Sequence, residues 1–241
     1  MVIVIDPQIA GISGDMLLSS LIDLGADKNE IINSIKKTEK FLSGSTIKKI
    51  DFQKTKKHGI ESTELILEID ENISKRKGIE IKKAILDSVN ELNLSIKAKT
   101  FAESCINTLI SSESKIHGIN EDSVHFHEAS SIDTLIDIVG VTIACENLKL
   151  FEEKIVCLPV SVGGGTVSFS HGTMSNPASA VLQIFKNSNL NIQGNNSREE
   201  LTTPTGACIL TNLTNNSIEY YPSMNITSIG YGAGQKDFEN F

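Results

Sequence analysis

A single stretch of the chain carries the residue types and spacing for metal or acid–base chemistry. In VHFHEASSIDTLIDIVG, which starts at Val124, His125 and His127 are two apart, Glu128 follows at once, and Asp133 and Asp137 are four apart. If Val124 to Glu128 is extended, both imidazoles leave one face while Phe126 turns into the core. Two nitrogen donors with a carboxylate alongside suit zinc, nickel or manganese. From Ser130 the apolar positions Ile132, Leu135, Ile136, Val139 and Ile143 follow helical spacing. Asp133 and Asp137 then share one helix face and can complete a metal shell or orient a histidine from behind. Plainer readings stand beside these. Histidines so spaced also serve as hydrogen-bonded structural residues. Asp133 with Ser130 approximates a capping box. Asp137 falls between Ile136 and Ile138, where an unpaired carboxylate is costly, so it requires a partner.

Three further segments offer polar groups to the same chemistry. Near the N-terminus a Val/Ile-rich run ends at Asp6, and Gly11, Ser13, Gly14 and Asp15 follow in a loop that opens a helix. Ligands sit at such strand–loop–helix mouths. Asp6 and Asp15 repel phosphate, so the mouth suits a cation, or a phosphate carried in with one; equally, Ser13 or Asp15 caps the helix. The run Gly163, Gly164, Gly165 can present backbone N–H groups to an anion or admit a flat ligand, or can be a tight turn. His171 sits in a loop setting where functional residues are common. Thr203-Pro204-Thr205-Gly206 reads as a helix start, with Thr203 the cap and Thr205 facing whatever lies above the helix end. His117-Gly118 reads as a helix end rather than a ligand.

The elements that must position these residues spell an α/β fold: a mixed sheet flanked by helices, with a possible small lobe within residues 46–115. Met1 to Ile5 and Lys154 to Val162 read as buried strands near the sheet centre, the second interrupted by Pro159. Helices are expected over Asp15 to Leu24, Lys28 to Phe41, Ile79 to Leu92 and Ile96 to Ile116. Two strands between Thr46 and Asp70 turn at His58-Gly59. Asn176-Pro177 reads as a capped helix start with proline at its first position. The glycines Gly230, Gly232 and Gly234 alternate, but no helix pattern follows, so they are no dinucleotide fingerprint.

Composition narrows the function classes. The 241 residues carry a formal charge of −8 and are 39% hydrophobic, which suits a globular protein and not sequence-independent nucleic-acid binding. The four cysteines show no C-x-x-C and lie in apolar segments, as reduced core thiols do. No membrane span or leader pattern is visible, so the expected location is cytoplasmic. A homo-oligomer is compatible with everything above.

Taken in order, GISGDM at Gly11, HG at His117, VHFHEASSIDTLIDIVG at Val124, SVGGGTV at Ser161, HG at His171, TPTGA at Thr203 and GYGAG at Gly230 resemble the signatures of the nickel insertion proteins that make the nickel-pincer nucleotide cofactor of lactate racemase. The resemblance implies a cyclometallase. Members use CTP with manganese or magnesium to insert nickel into pyridinium-3,5-bisthiocarboxylic acid mononucleotide, forming a carbon–nickel bond with sulfur ligation. His125, His127 and Glu128 would then handle nickel or take the displaced ring proton. Asp15, Asp133 and Asp137 would bind a cation or position the histidines, and the glycine and TPTG loops would hold the nucleotide phosphate. The family's C-terminal region, associated with CTP, lies beyond the matching segment, so the expectation is an N-terminal portion that needs that region as partner. ENISKRKG stands where many members are histidine-rich, Ser130-Ser131 replaces glycine-alanine, and Ser175 and Ser179 stand where prolines are frequent. Two rival readings are a metal-dependent hydrolase, since H-x-H with aspartates can activate water, and a non-catalytic nucleotide-binding half.

Overall fold

The structure, a computed structural model, describes residues 1–73, 75–126, 131–169 and 172–236, with the backbone alone at 131 and 167–169. In chain order the elements begin with β1 (Val2–Ile5), α1 (Gly14–Leu24), α2 (Lys28–Thr38, prolonged by a 3-10 turn, Glu39–Phe41), β2 (Ser45–Lys57), β3 (Ile60–Glu71), β4 (Arg76–Lys77) and α3 (Gly78–Glu91). There follow α4 (Ile96–His117), β5 (His125–Phe126), α5 (Ser131–Asn147), β6 (Lys154–Cys157), β7 (Val160–Ser161), β8 (Thr166–Phe169) and β9 (Gly172–Ser175). The remainder is α6 (Ser179–Phe185), β10 (Ile192–Gln193), α7 (Pro204–Leu213), β11 (Asn216–Ser217) and β12 (Gly232–Ala233). The fold is α/β, as the sequence pattern implies.

Everything is built around α5. Its residues Ile132, Leu135, Ile136, Ile138, Val139, Val141, Ala144 and Cys145 are fully buried, and α1, α2, α3, α4 and α7 all pack against it. A helix apolar on nearly all sides has no stable place except inside such a ring. Each large aliphatic buried there contributes roughly 1.5–3 kcal/mol. Gly140 of α5 serves packing: a Cβ there would stand 2.7 Å from a methyl of Leu18, so glycine lets α1 press close. The buried side chains of β2, β3, α3 and α4 join the same continuous cluster.

The strands form short ladders. β6 lies between β1 and β11, all parallel, with Ile3 opposite Ile155. Among the described residues β1 is thus an edge strand, with Val2 39% exposed, and not the central, doubly buried strand that its unbroken apolar run suggests. Such a run shows that faces are covered and says nothing about which edges are paired. The strand expected over 154–162 divides at Leu158-Pro159, where a missing N–H ends the ladder; its second piece, β7, pairs with β10 instead. β2 and β3 form the expected hairpin, with His58 (φ 49) and Gly59 (φ 88) in its turn. β12 adds in parallel along the other side of β3.

The Asn176-Pro177 expectation needs correction. That peptide is cis, and α6 starts only at Ser179, behind Ala178. Asn176 cannot cap it, because its side-chain amide donates to the carbonyls of Glu199 (2.7 Å) and Gly164 (3.3 Å).

Candidate functional site

The first turn of α1 sets one wall of the site. Ser13 occupies the N-cap position in extended conformation, yet its hydroxyl makes no cap bond; it donates to the Asp15 carboxylate. Ser13 is therefore not merely a helix cap. Asp15 lies in the first turn of α1 and Asp133 in the first turn of α5, where the exposed N–H groups favour a carboxylate. Asp137 follows Asp133 by one turn on the same face. It stands so close to Gly14 that a Cβ there would collide with the Asp137 side chain. Burial, then the nearby Asp15 and Asp133 carboxylates, then Cys208, hold the Asp137 carboxyl well above the ordinary range.

A second wall comes from α7. Thr203 caps this helix as the sequence predicts, accepting from Gly206 N–H at 3.1 Å, with Pro204 at the first position. The start of α7 is pinned to the α1 loop. Thr203 N–H donates to the Ile12 carbonyl (3.1 Å), and the Thr202 hydroxyl accepts from Ile12 N–H (3.3 Å) and donates to the Ser161 carbonyl (2.7 Å). Gly11 and Gly206 are required at this crossing, since a Cβ on either would strike backbone, Leu201 in one case and Ile12 in the other.

Between these walls lies a cavity of about 780 Å³, large enough for a mononucleotide-sized ligand. Ser13, Asp15, Asp133, Asp137, Thr203 and Thr205 all line it. The structure thus brings together expected residues from three separate segments. It also adds residues the sequence did not mark. Thr134 contributes a buried hydroxyl that has no hydrogen-bond partner among the described residues. Glu113 and His117, paired at 3.3 Å one turn apart at the end of α4, face the cavity, although His117-Gly118 reads in the sequence as a helix end alone. Their four-residue spacing was a legible signal. Leu65, Leu67 and Ile69 of β3 supply an apolar lining.

The last wall is the tail. The alternating glycines Gly230, Gly232 and Gly234 lie against α1, where side chains would strike Ser20 and Met16. This close approach carries Gly234, Gln235 and Lys236 into the cavity lining. Lys57 Nζ donates to the Gly234 carbonyl at 2.6 Å, and Lys236 lies 3.7 Å from Glu200.

Other expected residues stand elsewhere. His125 is half-buried in β5 opposite Lys77. Its neighbour Phe126 is buried and lines the cavity, whereas His125 does not. Gly163, Gly164 and Gly165 also lie off the lining. Gly164 N–H donates to the Ser197 carbonyl at 2.8 Å, and a Cβ on Gly163 would meet the Asn176 amide at 2.6 Å. That is the arrangement of a packed turn. His127, Glu128 and His171 lie outside the described residues. Among the described residues, no three of His, Cys, Asp and Glu are grouped so as to hold a metal ion by themselves, and no helix is long and apolar enough to cross a membrane.

Comparison with known proteins agrees with the sequence signatures. A family profile described as nickel insertion protein matches residues 3–241. A Methanosphaera stadtmanae protein, provisionally named a nickel insertion protein, is 37% identical over 99% of this chain and 58% of its own length. The pyridinium-3,5-bisthiocarboxylic acid mononucleotide nickel insertion proteins of Staphylococcus epidermidis and Staphylococcus saprophyticus are 38% and 34% identical, each over 95% of this chain and 55% of their own length. The chain spans a little over half the length of these relatives. No solved structure matches it.

Proposed function

The chain belongs to the nickel insertion protein family, and we propose that its acid-lined cavity is where nickel passes to pyridinium-3,5-bisthiocarboxylic acid mononucleotide, the substrate in the names of the staphylococcal relatives. The observation that carries this reading is the convergence of Asp15, Asp133 and Asp137 on the lining of one cavity, where burial and then the neighbouring carboxylates raise the pKa of Asp137. A divalent cation offsets both the burial and the like-charge repulsion that raise that pKa. The carboxylates give nickel a partial shell. Sulfur donors of the substrate complete it, which suits a cargo ion that must be handed over and not kept.

Insertion breaks a ring C–H bond and makes a C–Ni bond. The C–H electron pair goes to nickel, the metal's charge state is unchanged, and the proton leaves to a base. His127 and Glu128, which follow the cavity-lining Phe126 in sequence, are the residues we assign to taking that proton or delivering nickel; His125, on the strand face turned away from the lining, is not given that role. Thr203, Thr205 and the α7 N-terminus hold the phosphate. CTP, with its manganese or magnesium, is assigned to the region that the relatives carry in addition. A cavity lined by Asp15, Glu113, Asp133, Asp137 and Glu200 disfavours a triphosphate.

The test is reconstitution of the chain with that additional region, nickel, CTP and the thiocarboxylated nucleotide, with the nickelated product read by mass spectrometry. Asp15→Ala and Asp137→Ala are expected to lower product formation at least about tenfold. Unchanged product in both variants defeats the assignment.

A further inference from the structure

The acidic groups explain only part of the cavity. A second part of its lining is apolar and comes from elements the polar motifs do not touch: Leu65, Leu67 and Ile69 of β3, Leu109 and Ile116 of α4, and Phe126 of β5. Along β3 every second residue faces this space, as strand geometry requires. Leu65 is fully buried, but Leu67 and Ile69 are only partly covered. Aliphatic side chains left open beside a row of carboxylates gain from contact with a ligand that is itself apolar on its faces and polar at its rim.

The wall is also firmly held. Leu65, Leu67 and Ile69 sit opposite Phe52, Ile50 and Ile47 of β2 in the antiparallel ladder, and β12 pairs with the start of β3 on its other side. A strand paired in this way is a more exact support than a loop. Planarity and charge then select the occupant. A flat cationic heterocycle covers the aliphatic wall with its face, and its positive charge lies in the field of the aspartates. An aliphatic sugar phosphate can use only the helix terminus and leaves the wall wet.

We infer that the Leu65–Leu67–Ile69 face of β3 is the platform on which the pyridinium ring of the substrate lies, and that these side chains select a planar cationic heteroaromatic nucleotide over a sugar phosphate. The inference rests on the functional reading above for the identity of the ring. It predicts that the hairpin, remote in sequence from every polar motif, determines substrate affinity and not nickel affinity.

The test uses nicotinic acid mononucleotide, a pyridinium carboxylate nucleotide, and ribose 5-phosphate as probes, with calorimetry in the presence of nickel. The Leu67→Ala/Ile69→Ala variant removes partly exposed methyl groups and leaves the buried Leu65 in place. It is expected to bind nicotinic acid mononucleotide about tenfold or more weakly, with nickel and ribose 5-phosphate binding unchanged. Equal binding of the pyridinium nucleotide by variant and parent overturns the platform. So does a matching loss for ribose 5-phosphate, which would mean a general defect, and so does failure of the parent to bind the pyridinium nucleotide at all. If the pyridinium nucleotide binds as expected but no nickel enters the thiocarboxylated substrate, the functional reading fails and the platform stands.

Discussion

Gly14 and Asp137 compete for one volume: the Asp137 side chain lies where a Cβ on Gly14 would have to be. Glycine at 14 is thus a condition for the carboxylate at 137. Gly14→Ala is expected to cost about 1–3 kcal/mol of stability by overpacking and to weaken nickel binding by displacing Asp137. Adding Asp137→Gly should restore the melting temperature without restoring nickel affinity. A Gly14→Ala protein as stable as the parent, with full nickel affinity, would contradict this relationship.

The raised pKa of Asp137 gives a pH signature. Its folded-state pKa lies above the ordinary value of 3.8, so between the two values the folded state binds more protons than the unfolded chain, and stability falls as pH rises. Asp137→Asn removes that loss. The variant should melt with the parent near pH 4 and above it at pH 7 to 8, with the gap widening in between, while losing nickel affinity. Thermal melts across this range would reject the argument if the gap stayed constant or reversed.

The glycine-rich tail is a structural strap on α1. A Cβ on Gly232 would strike the Met16 carbonyl, so Gly232→Ala should lift β12 from its place between α1 and β3. Hydrogen exchange of the Thr63 amide, which donates to the Tyr231 carbonyl at 2.9 Å, should accelerate, and nucleotide affinity should drop as Gly234 to Lys236 leave the cavity wall. Unchanged exchange at Thr63 would show that the tail tolerates the methyl group.

Local signals in the sequence transferred well to the structure. The period of α5, the hairpin turn at His58-Gly59, the Thr203 cap with Pro204 and the end of α1 at Leu24 each depend on a few neighbouring residues, and all are found as read. Asp15, Asp133, Asp137, Thr203 and Thr205 were legible as site candidates because each sits at a helix start or on a shared helix face. What could not be read was partnership across the chain. The edge position of β1 depends on which strands lie beside it, and the division of the 154–162 strand depends on β10 being available to pair with β7. The apolar wall was written in the alternation of Leu65, Leu67 and Ile69, but nothing local says that this face meets α4 and α5 across a cavity. The alternating glycines at 230 to 234 were visible too; their reason, close passage over α1, exists only in three dimensions.

The order in which the chain is synthesised also bears on the cavity. Its first polar group, Ser13, and its last, Lys236, lie at opposite ends of the described chain, and the strand pairing that anchors the first end joins Val2 to Lys154. Contacts this distant in sequence form late and slowly, after long loops have closed. A nascent chain that has emerged as far as α5 already displays all three aspartates, yet lacks the α7 terminus and the tail that enclose them. Enclosure of the carboxylates therefore waits until α7 and the tail have been made, and a shorter nascent chain exposes them to bulk ions without those walls.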